Sequence, residues 1–466
     1  MPIDNVYVIP KIMPILDPAF RPAILENRAF TRDVELNGEC IPIKIAIERE
    51  NNQIYVLEAK VFSEESELEE NNNRFIERLI KTILWIKGGF KITIGGSKKI
   101  GDFVKKTYSI GGLRAFDALF MSRVYEKDFE VCSVDIDEVP EESEIVPLLS
   151  RNLDGCRIGF DAGGSDRKVV ALKNGEVVYS EEVAWHPKTQ SDPDYHYREI
   201  EAAIKTAAAH LPRVDAIGVS SAGIYVNNRA MIASLFLKVP QDLFDQKIKD
   251  IYLNIQREWE NVPLLVRNDG DVTALAGAMS LNDTNILGIA MGTSEAAGYI
   301  DDQGNIKGWL NELAFVPVDL NPNAMVDEWS LDHGCGVKYF SQDAVIKLAP
   351  AAEIQLEDNL SPAEKLRVVQ KLMEEGHEGA RNIYETIGVY LGYTIPYYAE
   401  FYHIKHLLIL GRVTSGEGGN IILNMAKKVL DLEFPELSSI INLHIPDESD
   451  RRIGQAVAAA SLPMIE

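Results

Sequence analysis

The sequence predicts an α/β protein in which two related lobes follow a separate N-terminal α+β domain. Three observations support this prediction. A strand–turn–strand pattern occurs twice, at residues 158–175 and 287–304; strands and helices alternate between and after the copies; and the first 150 residues have periodic apolar stretches without the pattern. We therefore predict an N-terminal domain over residues 1–150, a first lobe over 151–280, and a second lobe with a C-terminal helix over 281–466.

In the N-terminal domain, apolar periodicity predicts one hairpin, two helices and one strand. These are a hairpin over 41–62 that turns at Asn51 and Asn52, a helix over 73–87, a strand over 90–94 and a helix over 113–129. The segment GGSKKIGD (95–102) lacks the GxxxxGK[ST] spacing of a phosphate loop, so we interpret it as a turn with a basic surface. The acidic stretch Asp135–Glu144, which contains Pro140, is the predicted linker.

Helices and strands alternate after the first copy of the pattern. The sequence predicts a helix over 199–212, a strand over 214–221 that ends in a small-residue turn, and a buried strand that runs into a helix over 263–280. Such alternation is typical of α/β proteins.

Composition limits the classes of function. A chain of 466 residues is too long for one typical domain, and its 46% apolar content is that of a packed globular protein. The formal net charge of −24 argues against a general affinity for nucleic acid or for an anionic membrane. An acidic protein that binds a polyanion must concentrate N–H groups and a metal ion locally.

The cysteines and the N-terminal segment predict a soluble cytoplasmic protein. Cys40, Cys132, Cys156 and Cys335 form no CxxC pair, which favours a reducing compartment over a disulfide framework or a zinc ribbon. The first residues, MPIDNVYVIPKIMPILDP, lack the apolar core of a signal peptide. No apolar run approaches the roughly 20 residues that span a bilayer.

The chemical content of the repeated pattern lies in its turns. Each turn consists of small residues between apolar strands, so its N–H groups can approach an anion closely. Two such hairpins, one in each lobe, would hold a polyphosphate from both sides of a cleft, although ordinary glycine-containing hairpins would give the same pattern. The predicted phosphate-binding residues are Gly163, Gly164 and Ser165 in the first copy and Gly292, Thr293 and Ser294 in the second.

The two copies differ at the end of their first strand. Asp161 stands in the first copy where Ala290 stands in the second. Because Mg²⁺ prefers oxygen ligands and phosphate, one carboxylate facing a bound polyphosphate predicts a magnesium site. We predict that Asp161 holds Mg²⁺, directly or through a bound water molecule.

A strand-to-helix junction between the copies supplies a candidate base. Asn268 and Asp269 follow the apolar run Leu264–Val266 and precede a helical stretch. The carboxylate is therefore expected at the C-terminal end of a strand, where open α/β sheets bind ligands, and it could accept a proton from an attacking hydroxyl there. Asn and Asp are also the favoured helix N-cap residues, and the residues alone favour that structural interpretation.

Six segments occur in an order that resembles the ROK family of sugar kinases and sugar-responsive repressors, within the hexokinase and actin superfamily. They are DAGGS, AIGVSSAG, RNDGDVTALAG, GIAMGTSEAAGYI, NELAFVPVD and LLILGRVTSG. The resemblance covers roughly residues 155–466 and implies a two-lobed, ribonuclease H-like kinase that uses ATP and Mg²⁺.

The resemblance also implies roles for individual residues. Asp269 would be the catalytic base, and Asn268 and Glu312 would contact the sugar. Asp161 would be the carboxylate near the metal, and Gly411 would lie in the adenosine segment. The two small-residue turns would bind the phosphates.

Three departures from the family pattern stand in the second lobe. Phe315 replaces the histidine of the usual Glu-x-Gly-His, which contacts sugar and often zinc in the family. The usual Cys-x-Cys-Gly-x-x-Gly-Cys cluster is reduced to Cys335 beside His333, which cannot close a tetrahedral site, so we predict no zinc. Arg412 stands where a second glycine is common, which puts nucleotide binding in doubt.

The sequence therefore predicts a cytoplasmic kinase that transfers the γ-phosphoryl group of ATP to a hydroxyl of a sugar-like small molecule. Its predicted partners include no nucleic acid and no membrane, and a homo-oligomer stays open. Phe315 and Arg412 support a second hypothesis, in which the chain is a catalytically silent sugar- or nucleotide-binding protein or an ATPase. A sugar-responsive transcriptional regulator is the third, but such proteins carry an N-terminal winged helix, and the first region shows no basic recognition helix.

Overall fold

The computed structural model describes residues 8–144, 153–446 and 448–465. The strands are β1 (Cys40–Glu48), β2 (Ile54–Phe62), β3 (Lys91–Gly95), β4 (Glu130–Val134), β5 (Cys156–Ala162), β6 (Asp166–Lys173), β7 (Glu176–Ala184), β8 (Ala216–Ser221), β9 (Ile224–Val226), β10 (Arg229–Ile232), β11 (Leu264–Asn268), β12 (Ile286–Met291), β13 (Glu295–Ile300), β14 (His406–Leu410) and β15 (Asn442–His444). The α-helices are α1 (Ala23–Asn37), α2 (Glu70–Lys87), α3 (Lys98–Thr107), α4 (Ala115–Tyr125), α5 (Pro193–Ala208), α6 (Gln241–Leu243), α7 (Ile251–Glu258), α8 (Asp269–Leu281), α9 (Gln342–Leu348), α10 (Pro362–Glu374), α11 (Glu378–Tyr398), α12 (Glu417–Glu433), α13 (Pro435–Ser438) and α14 (Glu448–Ala460). Within the described ranges, no helix is both long and apolar enough to cross a membrane.

The described residues form two compact units. Unit 1 has a four-stranded sheet in the order β2-β1-β3-β4, and unit 2 has a five-stranded sheet in the order β11-β8-β5-β6-β7. A further sheet has the order β13-β12-β14-β15. Unit 1 comprises residues 8–144, 289–297 and 309–445, and unit 2 comprises residues 153–288, 298–308, 446 and 448–465.

The predicted division into three domains stays a prediction. Its first boundary, at residues 150 and 151, lies outside the described residues. Its second boundary, after residue 280, falls at the last turn of α8.

The hairpin predicted in the N-terminal region is confirmed. Strands β1 and β2 pair antiparallel, with Cys40 opposite Phe62 and Glu48 opposite Ile54. Asn51 and Asn52 in the connection have φ angles of 59° and 57°. Asparagine adopts this left-handed region more readily than most residues, so the Asn-Asn pair is suited to the turn. The predicted strand and helices are also present as β3, α2 and α4.

The interpretation of residues 95–102 as a turn with a basic surface is confirmed only in part. Gly96 has a φ of 114° and Lys98 and Lys99 are exposed, but a helix begins within the segment. Ser97 is the N-cap of α3, and its side chain accepts a hydrogen bond from the Ile100 amide. The segment is therefore the start of a helix, which buries Ile100 and Val104.

The interpretation of Asp135–Glu144 as a linker is also wrong. Val139 is 3% exposed, and Ser143 forms an antiparallel bridge with Ile54 of β2. The Glu144 carboxylate lies 2.6 Å from a guanidinium nitrogen of Arg49, and both side chains are largely buried. Because the acidic stretch has specific partners for its charges, it packs on unit 1.

Both copies of the repeated strand–turn–strand pattern are present. Strands β5 and β6 pair antiparallel around residues 163–165, and β12 and β13 lie on either side of residues 292–294. The matched glycines that end the copies, Gly175 and Gly304, have φ angles of 82° and 84°. Because L-residues rarely adopt these angles, both positions require glycine.

The sheet of unit 2 is covered by α14 at unusually close range. A Cβ atom added to Gly159 would lie 1.8 Å from the Ala456 carbonyl oxygen, and one added to Gly218 would lie 1.7 Å from the Ala459 carbonyl oxygen. The alanines of α14 therefore pack against bare strand backbone. The predicted C-terminal helix exists, but it packs on strands of unit 2, within the predicted first lobe, because these glycines receive it there.

This packing predicts that Gly218→Ala lowers the free energy of unfolding by about 2 to 3 kcal/mol, since β8 and α14 must separate to admit the methyl group. Gly454→Ala is the matched control, because nothing lies within 4 Å of a Cβ at this position of α14. The control should be neutral or stabilising by about 0.5 to 1 kcal/mol. Urea unfolding followed by circular dichroism measures both changes, and equal stabilities for the two variants would contradict the packing argument.

Candidate functional site

Two candidate carboxylates lie at one edge of the sheet of unit 2. Strands β5, β8 and β11 run parallel, so their C-terminal ends meet at the same edge. Asp161 is opposite Ser220 of β8, and Asn268 at the end of β11 is opposite Ser221. Asp269 follows directly as the first residue of α8. The structure therefore places the predicted metal carboxylate at the end of β5 and the predicted base directly after β11, and these two strands flank β8.

Asp161 is almost completely buried, with 5% exposure. Its Oδ1 accepts a hydrogen bond of 2.9 Å from the Ser220 hydroxyl, and its Oδ2 lies 3.9 Å from Nζ of Lys168. Burial raises the pKa of Asp161 to about 6, although the Lys168 charge and the Ser220 hydrogen bond act in the opposite direction. The nearby charge of Asp269 adds to the rise.

Asn268 is the N-cap of α8, as the structural interpretation of the sequence proposed. Its Oδ1 accepts a hydrogen bond of 2.7 Å from the Gly270 amide, and its Nδ2 donates one of 2.8 Å to the Gly223 carbonyl. The sugar contact of Asn268 stays a prediction. The Asp269 Oδ1 also accepts from the Gly270 amide, at 3.0 Å, and burial raises the pKa of Asp269.

Gln455 of α14 joins these two positions and was missed in the sequence. Its Nε2 donates a hydrogen bond of 2.8 Å to the Ser220 hydroxyl and one of 3.2 Å to the Asp269 backbone carbonyl. Because Ser220 donates in turn to Asp161, one chain of contacts runs from α14 to both carboxylate positions. The available signal was a single amide side chain in the small apolar run QAVAAAS.

The first phosphate turn, residues 163–165, is held by Trp185. The Trp185 Nε1 donates to the Gly163 carbonyl at 2.7 Å, and the Trp185 amide donates to the Ser165 carbonyl at 3.1 Å. Gly164 and Ser165 are exposed. A Cβ on Gly163 would lie 2.6 Å from the Asp166 carbonyl oxygen, so the turn requires glycine at its first position.

The second turn, residues 292–294, lies in unit 1 beside Gly411. The Gly292 amide donates to the Ser294 carbonyl at 3.0 Å, so the predicted phosphate contacts of this turn depend on the amides of Thr293 and Ser294, which are exposed. Gly411 has a φ of 101°, and a Cβ there would lie 2.4 Å from the Met291 carbonyl oxygen. The structure thus brings Gly411 against the strand end that leads into this turn.

Glu312, also in unit 1, is held in place by the end of α2. The Glu312 amide donates to the Trp85 carbonyl at 3.0 Å, and the Asn311 amide donates to the Ile86 carbonyl at 2.9 Å. The last carbonyls of a helix have no partner within the helix, so α2 satisfies them with this segment. The N-terminal region therefore fixes the backbone of the predicted substrate residue.

A second carboxyl group lies near Glu312. Glu295 is 3% exposed, and neither of its carboxyl oxygens has a hydrogen-bond partner among the described residues. Burial, with a contribution from the charge of Glu312, raises the pKa of Glu295 well above its ordinary value. Burial therefore favours the neutral form of the Glu295 carboxyl group.

The aromatic cluster around Phe315 accounts for one departure from the family pattern. Its ring stacks on Trp85 with centroids 4.2 Å apart, and the rings of Phe116 and Phe120 lie 5.8 Å and 6.1 Å away. These three partners belong to α2 and α4. An imidazole at position 315 would have to place polar nitrogens among aromatic rings.

The surroundings of Cys335 account for another departure. The Cys335 Sγ lies 3.9 Å from Nζ of Lys81, a fully buried lysine of α2 that also lies 2.6 Å from the Asp332 carboxylate. Burial raises the pKa of Cys335 to about 12, which disfavours the thiolate that zinc requires. Among the described residues, no group of three or more His, Cys, Asp or Glu could hold a metal ion. The expectation of a zinc-free protein stays a prediction.

The donor set around Asp161 fits Mg²⁺. This cation keeps several water ligands and is commonly held by one or two carboxylates together with substrate phosphates. Asp161 supplies one carboxylate at a strand end, and the exposed turn residues Gly164 and Ser165 follow it closely in the chain. The Lys168 ammonium near Oδ2 favours contact through water.

The environment of Asp161 predicts that Lys168→Met raises the Asp161 pKa above about 6, because a positive charge that stabilises the carboxylate is removed. Since the folded pKa exceeds the ordinary value of 3.8, ionisation of Asp161 lowers the free energy of unfolding as the pH rises from about 4 to about 6. Carbon-13 NMR titration of labelled aspartate carboxyls in metal-free buffer, assigned with Asp161→Asn, measures the pKa. Lys173→Met, at the exposed far end of β6, is the control, and an unchanged pKa in Lys168→Met would contradict the assignment.

Comparisons with known proteins agree with this architecture. The sequence model of the ROK family matches residues 157–446. The ROK hexokinase from Thermus thermophilus is 16% identical, with a TM-score of 0.52, and the similarity covers 66% of this chain and 97% of the hexokinase. The ROK family glucokinase from Streptomyces griseus, solved in complex with glucose and AMPPNP, is 17% identical, with a TM-score of 0.50 over 66% of this chain and 99% of the glucokinase.

A ROK family transcriptional regulator, a homolog of the E. coli MLC protein, is 19% identical, with a TM-score of 0.53 over 66% of this chain and 79% of the regulator. None of the curated proteins compared matches the chain. Similarities at these identities show the fold alone, and they confirm the predicted hexokinase-like fold class.

Proposed function

The chain belongs to the ROK family, and on that premise we propose that it is an ATP-dependent kinase that phosphorylates a hydroxyl of a sugar or sugar-like small molecule. The observation that carries the proposal is the pair Asp161 and Asp269 at one edge of the sheet in unit 2, connected through Ser220 and Gln455. The exposed turn Gly163–Ser165 follows Asp161 directly. A metal carboxylate, a base and a phosphate turn are the parts that phosphoryl transfer needs.

Asp269 acts as the general base in the proposed mechanism. It accepts the proton of the acceptor hydroxyl as the phosphoryl group is transferred. Burial raises its pKa, which strengthens it as a base, while the Gly270 amide and the Lys188 charge keep the ionised form accessible. Its position at the first turn of α8 also favours a negative charge.

The phosphate groups are held by the small-residue turns. Trp185 donates hydrogen bonds to the carbonyls of Gly163 and Ser165, so the exposed side of the turn remains available to an anion. Thr293, Ser294 and Gly411 of unit 1 are proposed to contribute to nucleotide binding as well. When bound, Mg²⁺ supplies charge neutralisation at the phosphates, with Asp161 as its protein ligand.

Glu312 is the proposed acceptor contact. Its backbone is fixed by α2, so its side chain is presented from a rigid position. The histidine that usually shares this task in the family is replaced by Phe315 here.

The alternative of a catalytically silent binding protein rests on Phe315 and Arg412. Arg412 is exposed, and its carbonyl accepts a hydrogen bond of 2.8 Å from Gln370. Nucleotide binding without transfer to any acceptor would favour this alternative, and phosphate release without an acceptor would favour an ATPase. The regulator alternative would require a winged helix in the N-terminal region. The described part of that region contains the mixed sheet β2-β1-β3-β4 with helices.

The proposal predicts that Asp269→Asn lowers kcat for phosphoryl transfer by about 10²- to 10⁴-fold, because the general base is removed. The substitution keeps an oxygen that can accept from the Gly270 amide, so AMPPNP binding should change by less than about threefold. A coupled assay with Mg-ATP over hexoses, amino sugars and polyols identifies the acceptor, and isothermal titration measures nucleotide binding.

Asp302→Asn is the control for this experiment, because Asp302 is an exposed carboxylate of unit 2 outside the site. It should retain wild-type kinetics. Full transfer activity in Asp269→Asn would contradict the assignment of the base, and a wild-type protein that binds no nucleotide would contradict the kinase proposal.

A further inference from the structure

The segment after β7 is folded back onto the first phosphate turn. Trp185, which is 1% exposed, donates hydrogen bonds to the carbonyls of Gly163 and Ser165. A 3₁₀ turn over Pro187–Thr189 continues directly from this anchor, and Pro187 is buried. The backbone at residue 188 is therefore placed by contacts on both sides.

This placement brings the Lys188 ammonium to the exposed part of the turn. A Cβ atom added to Gly164 would lie 3.0 Å from Nζ of Lys188 and 3.0 Å from its Cε. Since Gly164 is exposed, the ammonium is beside the surface that an anion bound to the turn would occupy.

Lys188 differs from the neighbouring Lys168 in its partners. Nζ of Lys168 lies 2.9 Å from Asp166 and 3.9 Å from Asp161, so its charge is largely balanced by carboxylates. Within the described part of the chain, no carboxylate lies within ion-pair distance of Lys188. In a protein with a net charge of −24, a cation without a carboxylate partner beside a phosphate turn is available for an anionic ligand.

We propose that Lys188 binds the terminal phosphate of the nucleotide and stabilises the charge on the transferred phosphoryl group. The inference rests on the proposed kinase function. In phosphoryl transfer the negative charge is spread over the equatorial oxygens of the transferred group, and a lysine ammonium offers a compact charge with three donors. Hydrogen bonds between charged partners are the stronger ones in proteins.

The electrostatics of Asp269 support this position. Burial raises the pKa of Asp269, and the Lys188 charge acts against that rise, alongside the backbone amides of Gly270 and Asp269 itself. The ammonium is thus within electrostatic reach of the proposed base. A phosphoryl group that is being transferred must lie between the phosphate turn and the base. The Lys188 ammonium lies beside the turn and acts electrostatically on the base.

The test compares two nucleotides that differ in the terminal phosphate. Isothermal titration with Mg-AMPPNP and with Mg-ADP is carried out on the wild-type chain, Lys188→Met, Lys188→Arg and the control Lys173→Met. We expect Lys188→Met to weaken AMPPNP binding by about 10- to 100-fold and to change ADP binding by less than about threefold. Lys188→Arg should restore most of the AMPPNP affinity because it keeps the charge, and Lys173→Met should behave like the wild type.

Three results would overturn the inference: unchanged AMPPNP binding in Lys188→Met, an equal loss for both nucleotides, or an equal loss in Lys173→Met. Thermal unfolding of Lys188→Met should match the wild type, because the side chain is exposed. A wild-type chain that binds AMPPNP but phosphorylates no acceptor contradicts the proposed function alone, and the nucleotide comparison still decides the role of Lys188. A wild-type chain that binds neither nucleotide contradicts both proposals.

Discussion

The proposed site of unit 2 depends on the close contact between α14 and the bare backbone of two central strands. Gly159 and Gly218 leave no Cβ between the sheet and the carbonyls of Ala456 and Ala459. Gln455 is adjacent to Ala456, so the same contact brings its amide within hydrogen-bond distance of Ser220. A larger residue on either strand would move the helix and break the contacts that lead to the Asp161 carboxylate and to the Asp269 backbone carbonyl. Gly159, the strand glycine in the first copy of the repeat, is therefore required by packing, which differs from the reason for glycine in the turns.

The N-terminal region has a comparable role in unit 1. The usual family pattern after Glu312 has a histidine and a cysteine cluster, and this chain has Phe315 and the single Cys335 there. The last carbonyls of α2 accept hydrogen bonds from the amides of Asn311 and Glu312. The Trp85 ring of the same helix stacks on Phe315. Lys81 of the same helix is the buried cation beside Cys335. The departures from the family pattern and the added helix thus occur at the same place, where α2 contributes backbone, ring and ammonium contacts.

Local features were predictable from the sequence, and features that depend on distant contacts were not. The hairpin turn at Asn51 and Asn52 and the β11–α8 junction at Asn268 follow from residues that favour those conformations wherever they occur. The acidic stretch near Val139 resembled a linker because its charges and its proline are linker-like, and only the partner Arg49 and the burial of Val139 reveal that it is packed. Trp185 and Gln455 reach the site from segments far along the chain from their partners, so no local pattern could assign them.

Charge balance shows how such an acidic chain could bind the proposed polyphosphate ligand. Asp161 and Asp166 neutralise Lys168, so the side chains around the start of β6 carry little net positive charge. The binding energy would then come from oriented amides, from a metal ion at Asp161 and from a cation that has no carboxylate within ion-pair distance. Burial raises the pKa values of Asp161 and Asp269, and the charges of Lys168 and Lys188 act against the rise at Asp161 and Asp269, respectively. Phosphate binding at the proposed site would therefore depend on the direction of a few dipoles and on individual cations more than on net charge.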